Sequence, residues 1–118
     1  MQDFRKLKAW QANRELTLQI YRATADFPDG ERYGLTSQMR RCTVRIGACM
    51  AEGCGRRTTK DTLHFLQMSF SSATELLHHL ITSSDLGFLP AAQFELLDAK
   101  LLEIRKMLTS LMKRMREN

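Results

Sequence analysis

Three histidines and a glutamate are the side chains whose types and spacing could hold a metal ion or transfer a proton. Glu75 and His78 form a Glu-x-x-His motif, the spacing with which the helices of carboxylate di-iron bundles bind their metals. Such a centre needs two of these motifs and two further glutamates, whereas this sequence has one motif. His64 lies about 21 Å from His78 along a helix, and His79 diverges from His78 by about 100° around the axis. We therefore predict no metal, no cofactor and no catalytic residue.

The three cysteines offer a second kind of chemistry. Cys42 and Cys49 lie about 10 Å apart along a helix, which is too far for a disulfide within it. No Cys-x-x-Cys pair occurs, and no histidine accompanies Cys54 at the spacing of a zinc site. An odd cysteine count fits reduced thiols in the cytoplasm, so we interpret Cys42 and Cys49 as small hydrophobic residues of a packed face.

A basic segment is the clearest functional signal. Seven basic residues and one acid lie between positions 32 and 60, in a chain whose net charge is +5. Such a patch favours an anionic partner, although it can also serve only as a solubilising surface. The predicted nucleic-acid-binding residues are Arg40, Arg41, Arg45, Arg56, Arg57 and Lys60.

A polar stripe runs beside the apolar face of the same segment. Gln38, Arg41, Arg45 and Glu52 fall within about 60° of each other around a helix axis. An arginine beside an apolar seam can pair with a carboxylate of a neighbouring helix or subunit, and the predicted acceptors are Glu52 and Glu75. The alternative is that the arginines contact phosphates. Because aromatic residues do not alternate with these cations, we expect no base stacking.

Four helices must position these side chains, over residues 3–25, 35–53, 58–84 and 91–116. Apolar residues recur at alternating steps of three and four, as in coiled-coil-like packing. Thr36 or Ser37 is the expected cap of the second helix, and Gly53 or Gly55 its left-handed end. Helices of this length with short loops predict an all-α, antiparallel up-down-up-down four-helix bundle, with residues 1–118 as one domain.

The first three predicted helices have more apolar surface than one core requires. On the second helix, Val44, Ala48 and Ala51 form a second face of small residues, which another helix could approach closely. We interpret this extra surface as an interface between copies of the chain. The alternative is a wide monomeric core filled by methionine and phenylalanine.

Four segments carry a resemblance to a known family: FRKLKAWQANRELTLQIYRAT at 4–24, FPDGERYGLTSQMRR at 27–41, AEGCGRR at 51–57 and FLQMSFSSATEL at 65–76. Over about residues 4–112 the chain resembles the bacterial four-helix-bundle (S23) proteins encoded in intervening sequences of 23S ribosomal RNA genes. A related branch is the accessory protein of diversity-generating retroelements. Arg45 and Cys49 stand where the family usually has serine and asparagine, and Ser71 where glycine is common, so any specific role of the family's serine and asparagine does not carry over.

The resemblance implies ring-shaped homo-oligomers, with pentamers known. Its retroelement branch implies a basic partner of reverse transcriptase and nucleic acid. No apolar run approaches the roughly 20 residues of a membrane span, and the N-terminus lacks the apolar core of a signal peptide. We therefore expect a cytoplasmic, non-enzymatic homo-oligomer that binds the backbone of RNA or DNA; the alternative is a protein-interaction scaffold with no nucleic-acid role.

Overall fold

The computed structural model describes residues 3–118 and is all-α, as the sequence predicts. Four long helices follow one another: α1 (Lys8–Ala25), α2 (Leu35–Cys54), α3 (Thr59–Asp85) and α4 (Ala91–Glu117). Short 3-10 helices at Phe4–Lys6 and Asp29–Glu31 precede α1 and α2. The expected first helix therefore begins late, because Leu7 is extended and separates the first 3-10 helix from α1.

The caps of α2 differ from the sequence prediction. The backbone N–H of Leu35 donates to Glu31 Oε1 at 3.2 Å, whereas Thr36 lies inside the helix and is buried. The prediction that Thr36 or Ser37 caps α2 was therefore wrong. An acid in the preceding 3-10 helix reaches the free end of α2 instead.

The predicted left-handed end of α2 at Gly53 or Gly55 was also wrong. The helix continues through Gly53 to Cys54, and Gly55 has φ −88°. Gly53 serves close packing, because a Cβ there would lie 3.1 Å from Phe65 Cβ and 3.4 Å from Thr62 O. Glycine at this position therefore lets α3 approach the last turn of α2.

Helices α1 and α2 run antiparallel and pack closely. Arg40, near the start of α2, donates to Thr24 near the end of α1 at 2.9 Å. Further along α2, Asn13 of α1 donates to the carbonyl oxygen of Thr43 at 3.0 Å. A Cβ on Gly47 would lie 2.9 Å from Asn13 Nδ2, so this glycine keeps the two helices in contact.

Helices α2 and α3 are also antiparallel. Ser69 donates to the carbonyl oxygen of Ile46 at 2.7 Å, and Thr62 donates to that of Gly53 at 2.9 Å. Helix α3 then packs on α4, and α4 returns to α1. Within residues 3–118 the diagonal pairs α1–α3 and α2–α4 make no close backbone approach, which is the arrangement of a four-helix bundle.

The core lies along the centre of a particle measuring 46 × 23 × 20 Å. The predicted apolar seams converge there. The residues with no exposed surface include Leu16, Ile20, Met39, Ile46, Met50, Leu66, Leu76, Leu80, Ile104 and Leu108. Among the described residues, no helix combines the length and apolar character that crossing a bilayer would require.

Candidate nucleic-acid interface

An open groove of about 1230 Å³ follows the outer surface of α2 and α3. Its floor includes Val44 and Ala48, the small-residue face predicted on α2. Val44 is 50% exposed, so no helix of the same chain covers this face. Four arginines and two glutamates line the groove, and they are Arg32, Arg40, Arg41, Arg45, Glu52 and Glu75.

Arg41 and Arg45 are the free cations of this groove. Both are exposed and stand one helical turn apart on α2. Within residues 3–118 neither forms an ion pair, a cation–π contact or a side-chain hydrogen bond. Their charges are therefore available to a partner outside the described part of the chain.

Arg40 was predicted in the same group, but its guanidinium is occupied by α1. Its Nε donates to Thr24 Oγ1 at 2.9 Å, and its Nη2 donates to the carbonyl oxygen of Tyr21 at 3.3 Å. The guanidinium also lies 4.6 Å from the centre of the Tyr21 ring. Arg40 therefore joins α1 to α2 and has fewer donors left for a phosphate.

Two tyrosines at the end of the groove were not among the predicted site residues. Tyr33 is 86% exposed, and Arg32 lies 5.7 Å from the centre of its ring. Tyr21 reaches the same groove from α1. Aromatic rings do therefore accompany the cations, contrary to the expectation from sequence. The pairing of Tyr21 with Arg40 depends on how α1 and α2 are aligned, whereas the adjacent pair Arg32–Tyr33 was a visible signal.

The predicted acceptors take other partners than Arg41 and Arg45. Oε2 of Glu52, in the last turn of α2, lies 4.0 Å from Nη2 of Arg56, which follows the end of that helix. Glu75 accepts a hydrogen bond from the Cys42 thiol at 2.6 Å, and its Oε2 lies 3.6 Å from Nε2 of His79. Gln38 is exposed on the groove wall. Of these predicted structural polar residues, Glu75 alone links two helices.

The remaining predicted cations lie at the α2–α3 connection. The Arg56 guanidinium stacks 4.5 Å from the centre of the Phe65 ring. Arg57 is exposed and lines a cleft of about 240 Å³ that Met115 of α4 also borders. Lys60 is exposed in the first turn of α3. We call these three residues the second basic site because they lie within five positions of one another, apart in sequence from the groove arginines; Arg56 and Arg57 line the cleft.

The cysteine thiols are held in their protonated form. Burial, reinforced by the hydrogen bond to Glu75, raises the pKa of Cys42 to about 12. Burial also raises the pKa of Cys49 and of Cys54. The same hydrogen bond from Cys42, with His79 and Arg45 nearby, lowers the pKa of Glu75. At neutral pH the groove therefore holds a thiol donating to a carboxylate rather than a nucleophilic thiolate.

One set of side chains in the described part of the chain could share a metal ion. Cys42, Glu75 and His79 each offer a ligand atom, and these atoms lie within 4.8 Å of one another. Sequence reasoning paired Glu75 with His78, but His78 is exposed on another face. The available signal was the spacing of four between Glu75 and His79, which brings two residues onto one face of a helix.

Comparisons with known proteins agree with the all-α fold. The model of the family described as 23S rRNA-intervening sequence protein matches residues 5–110. A crystal structure of a protein of unknown function from the S23 ribosomal protein family of Bacteroides thetaiotaomicron has a TM-score of 0.80 to this chain. The two are 20% identical over 89% of this chain and 98% of that chain, a likeness that shows the fold.

A search among curated proteins finds no match. The family assignment rests instead on the family model, which spans most of the chain and includes α1, α2, α3 and the larger part of α4. The resemblance read from the sequence motifs is thereby confirmed. The chain belongs to the family of 23S rRNA-intervening sequence proteins.

Proposed function

We propose that the protein binds the backbone of RNA or DNA as a non-enzymatic, cytoplasmic homo-oligomer. The observation that carries this proposal is that Arg41 and Arg45 line the groove without an ion pair or side-chain hydrogen bond within residues 3–118. Two exposed guanidiniums one turn apart can each contact a phosphate, which arginine recognises through two parallel hydrogen bonds. The name of the family refers to ribosomal RNA genes, so ribosomal RNA is the natural first probe.

The proposed binding mode is weakly sequence-specific. Contacts to phosphates position a protein on nucleic acid but carry no base information. Tyr33 adds an exposed ring at the mouth of the groove, on which an unpaired base can stack. We therefore expect single-stranded or looped RNA to bind at least as well as a duplex.

The test is the salt dependence of binding, measured by fluorescence anisotropy with a labelled ribosomal RNA fragment. Arg41→Gln/Arg45→Gln should weaken binding at low salt and reduce the slope of log affinity against log salt by about one per lost contact. The matched control is Lys113→Gln/Arg114→Gln, which removes the same charge from exposed positions of α4. Equal losses in the two variants would make the effect one of net charge and overturn the groove assignment.

The second basic site provides an independent test. Replacing Arg56, Arg57 and Lys60 together by glutamine should weaken binding several-fold, because loop cations beside the start of a helix favour phosphate. Arg56 already contacts Glu52 and Phe65, so a smaller loss for Arg56→Gln alone than for Arg57→Gln is expected. Unchanged affinity of the triple variant would assign these residues to structure.

The alternative function is a protein-interaction scaffold, and the exposed floor of the groove favours it. Val44 and Ala48 offer apolar surface between the arginines, as a surface for a second copy or another protein would. The resemblance names a reverse transcriptase as one such partner. Val44→Gln, which adds no charge beside the arginines, should leave RNA affinity within a few-fold if phosphates carry the binding, whereas it should weaken assembly if this floor is a protein interface.

The oligomeric state is tested separately by sedimentation velocity. The proposal expects a mass several times 13.6 kDa, and the resemblance implies a pentamer. A single compact species of 13.6 kDa at high protein concentration would remove the assembly half of the proposal. It would leave the phosphate-binding half intact.

A further inference from the structure

The trio Cys42, Glu75 and His79 combines three ligand types on two helices. Cys42 comes from α2, and Glu75 and His79 from successive turns of α3. Thiolate sulfur, imidazole nitrogen and carboxylate oxygen are together the ligands that Zn²⁺ takes in proteins. Each of the three residues presents its ligand atom to the same small volume, so the set does not depend on a single reactive side chain.

We propose that these three side chains form a binding site for one Zn²⁺ ion. A tetrahedral zinc centre holds its ligand atoms about 3.4–3.6 Å apart, given Zn–S of about 2.3 Å and Zn–N and Zn–O of about 2.1 Å. The separation of Glu75 Oε2 and His79 Nε2 is 3.6 Å, which already fits. The separation of Cys42 Sγ and Glu75 Oε2 is 2.6 Å, and it must open by about 1 Å.

The side chains can make that adjustment. The Glu75 side chain is 56% exposed, so its carboxylate can rotate away from the sulfur without displacing packed atoms. Cys42 is 3% exposed and is fixed by the core, and the His79 side chain is 17% exposed. Cys42 and His79 are thus held in place by packing, whereas Glu75 can move. An ion could therefore bind with only a small rearrangement of the three side chains.

The charges balance when the ion binds. Zn²⁺ takes the place of the thiol proton, which passes to solvent, because a coordinating thiol is deprotonated outright. Thiolate and carboxylate then supply two negative charges against the two positive charges of the ion. Arg41 and Arg45 act on the thiol from nearby and oppose a cation, so the affinity should fall below that of a four-ligand structural site.

Three protein ligands leave one coordination position for water, as in zinc sites that stay open. Cys42 and Glu75 both line the groove, so this position faces the groove and not the core. The bound ion would therefore be accessible from solution and to small chelators. The inference stands on the geometry of the trio and is independent of nucleic-acid binding.

The experiment titrates the reduced, tag-free full-length chain with Co²⁺, whose absorption reports thiolate ligation and tetrahedral geometry. We expect one Co²⁺ per chain, a thiolate-to-cobalt charge-transfer band, and loss of that band when Zn²⁺ is added. Cys42→Ser should abolish the band. His79→Ala and Glu75→Gln should each lower affinity by more than the roughly 10–100-fold that loss of an outer-shell partner costs.

Two variants serve as matched controls. Cys49→Ser removes a buried thiol one heptad further along α2, and His78→Ala removes the adjacent histidine. Both should keep the band and the affinity. Should Cys42→Ser fail to fold, as judged by circular dichroism, the α3 variants still decide the matter, because their side chains are only partly enclosed.

Three outcomes would overturn the proposal. The folded, reduced wild-type chain could show no thiolate band when Co²⁺ exceeds the protein. The band could be lost in Cys49→Ser and kept in Cys42→Ser. The affinity could remain unchanged in both His79→Ala and Glu75→Gln. RNA affinity of the same variants is read in parallel, so that failure of the metal site and failure of the proposed groove function are told apart.

Discussion

Charged residues on the α1–α4 side of the bundle and on the α2–α3 side differ in whether they have partners within the chain. On the α1–α4 side, Lys100 lies 2.7 Å from Glu15 and 3.9 Å from Glu103. On the α2–α3 side, Arg41 and Arg45 have no such partner within residues 3–118.

The contrast follows from where opposite charges stand in the sequence. Acids and bases are interspersed over residues 95–106 of α4, so Lys100 lies near a glutamate of its own helix and one of α1. Helix α2 concentrates arginines on one flank and has Glu52 as its single acid. A helix with charges of one sign must leave them to solvent or to a partner. Lys100 is thus paired within the chain, whereas Arg41 and Arg45 have no ion-pair partner within residues 3–118.

The largest expected effect separates the closed core from the open groove. Ile104 has no exposed surface, whereas Val44 is 50% exposed. Ile104→Ala should lower the free energy of unfolding by about 2–5 kcal/mol, since it leaves a cavity. Val44→Ala should change it by less than about 0.5 kcal/mol. Urea unfolding of both variants at one protein concentration measures this difference.

A large loss of unfolding free energy in Val44→Ala would contradict the contrast between a closed core and an open groove. It would mean that the groove floor is covered in solution, and the dependence of the loss on protein concentration would then identify a second copy as the cover. This outcome would place the interface between copies on the groove floor, where it would compete with phosphate binding by Arg41 and Arg45.

The next effect concerns polar groups buried between α1 and α2. Asn13 is 2% exposed, and its side-chain amide donates to the carbonyl oxygen of Thr43 at 3.0 Å. Asn13→Ala should lower the free energy of unfolding by about 1–3 kcal/mol, because the hydrogen bond is lost in a buried setting. Gln19→Ala, on the exposed face of α1, is the control. Equal effects from both would show that the α1–α2 seam is not the closed interface that the hydrogen bond indicates.

A smaller effect of opposite sign is expected on the groove face. Arg41 and Arg45 are like charges four residues apart on one helix, which destabilises a helix by about 0.2–0.5 kcal/mol. Arg41→Gln should therefore raise the free energy of unfolding by a similar amount while weakening RNA binding. Lys100→Gln, on the paired side, should lower it. A loss of stability in Arg41→Gln would show that the arginine has a structural partner after all.

The fold was predictable because its signal is local. Repeats such as Leu97, Leu101, Ile104 and Leu108 define one buried face within one helix, so four helices and their cores can be read without knowing their partners. The ends of α2 were not predictable in the same way. Gly53 suits the close approach of α3, and that packing is invisible in a single segment.

The candidate site was only partly predictable for the same reason. Clustering of cations is a property of the sequence, and Arg41 and Arg45 do line one groove. Which cation is free depends on the alignment between helices, which places Arg40 on Tyr21. The meeting of Cys42 with Glu75 likewise requires α2 and α3 to be packed in one register. Such contacts join residues more than 15 positions apart, so no spacing rule within one helix reports them.

The smallest expected effect is on the pH dependence of stability, and it concerns the ion pair between Glu15 and Lys100. The ion pair with Lys100 holds the pKa of Glu15 below its ordinary value of 4.5. A carboxyl whose folded pKa is lowered stabilises the protein above its unfolded pKa, and this contribution is lost as the pH falls through the folded pKa. The free energy of unfolding of the wild-type chain should therefore exceed that of the Glu15→Gln variant at neutral pH. The difference should vanish in acid.

The measurement is urea unfolding of both chains across this pH range, repeated in a Lys100→Gln background. Because Lys100 is the cause of the lowered pKa, the pH-dependent difference should disappear when Lys100 is replaced. A difference that persists without Lys100 would mean that Glu15 is stabilised by another group. The Lys100–Glu15 pair would then not form in solution, and pairing within the chain would no longer distinguish Lys100 from Arg41 and Arg45.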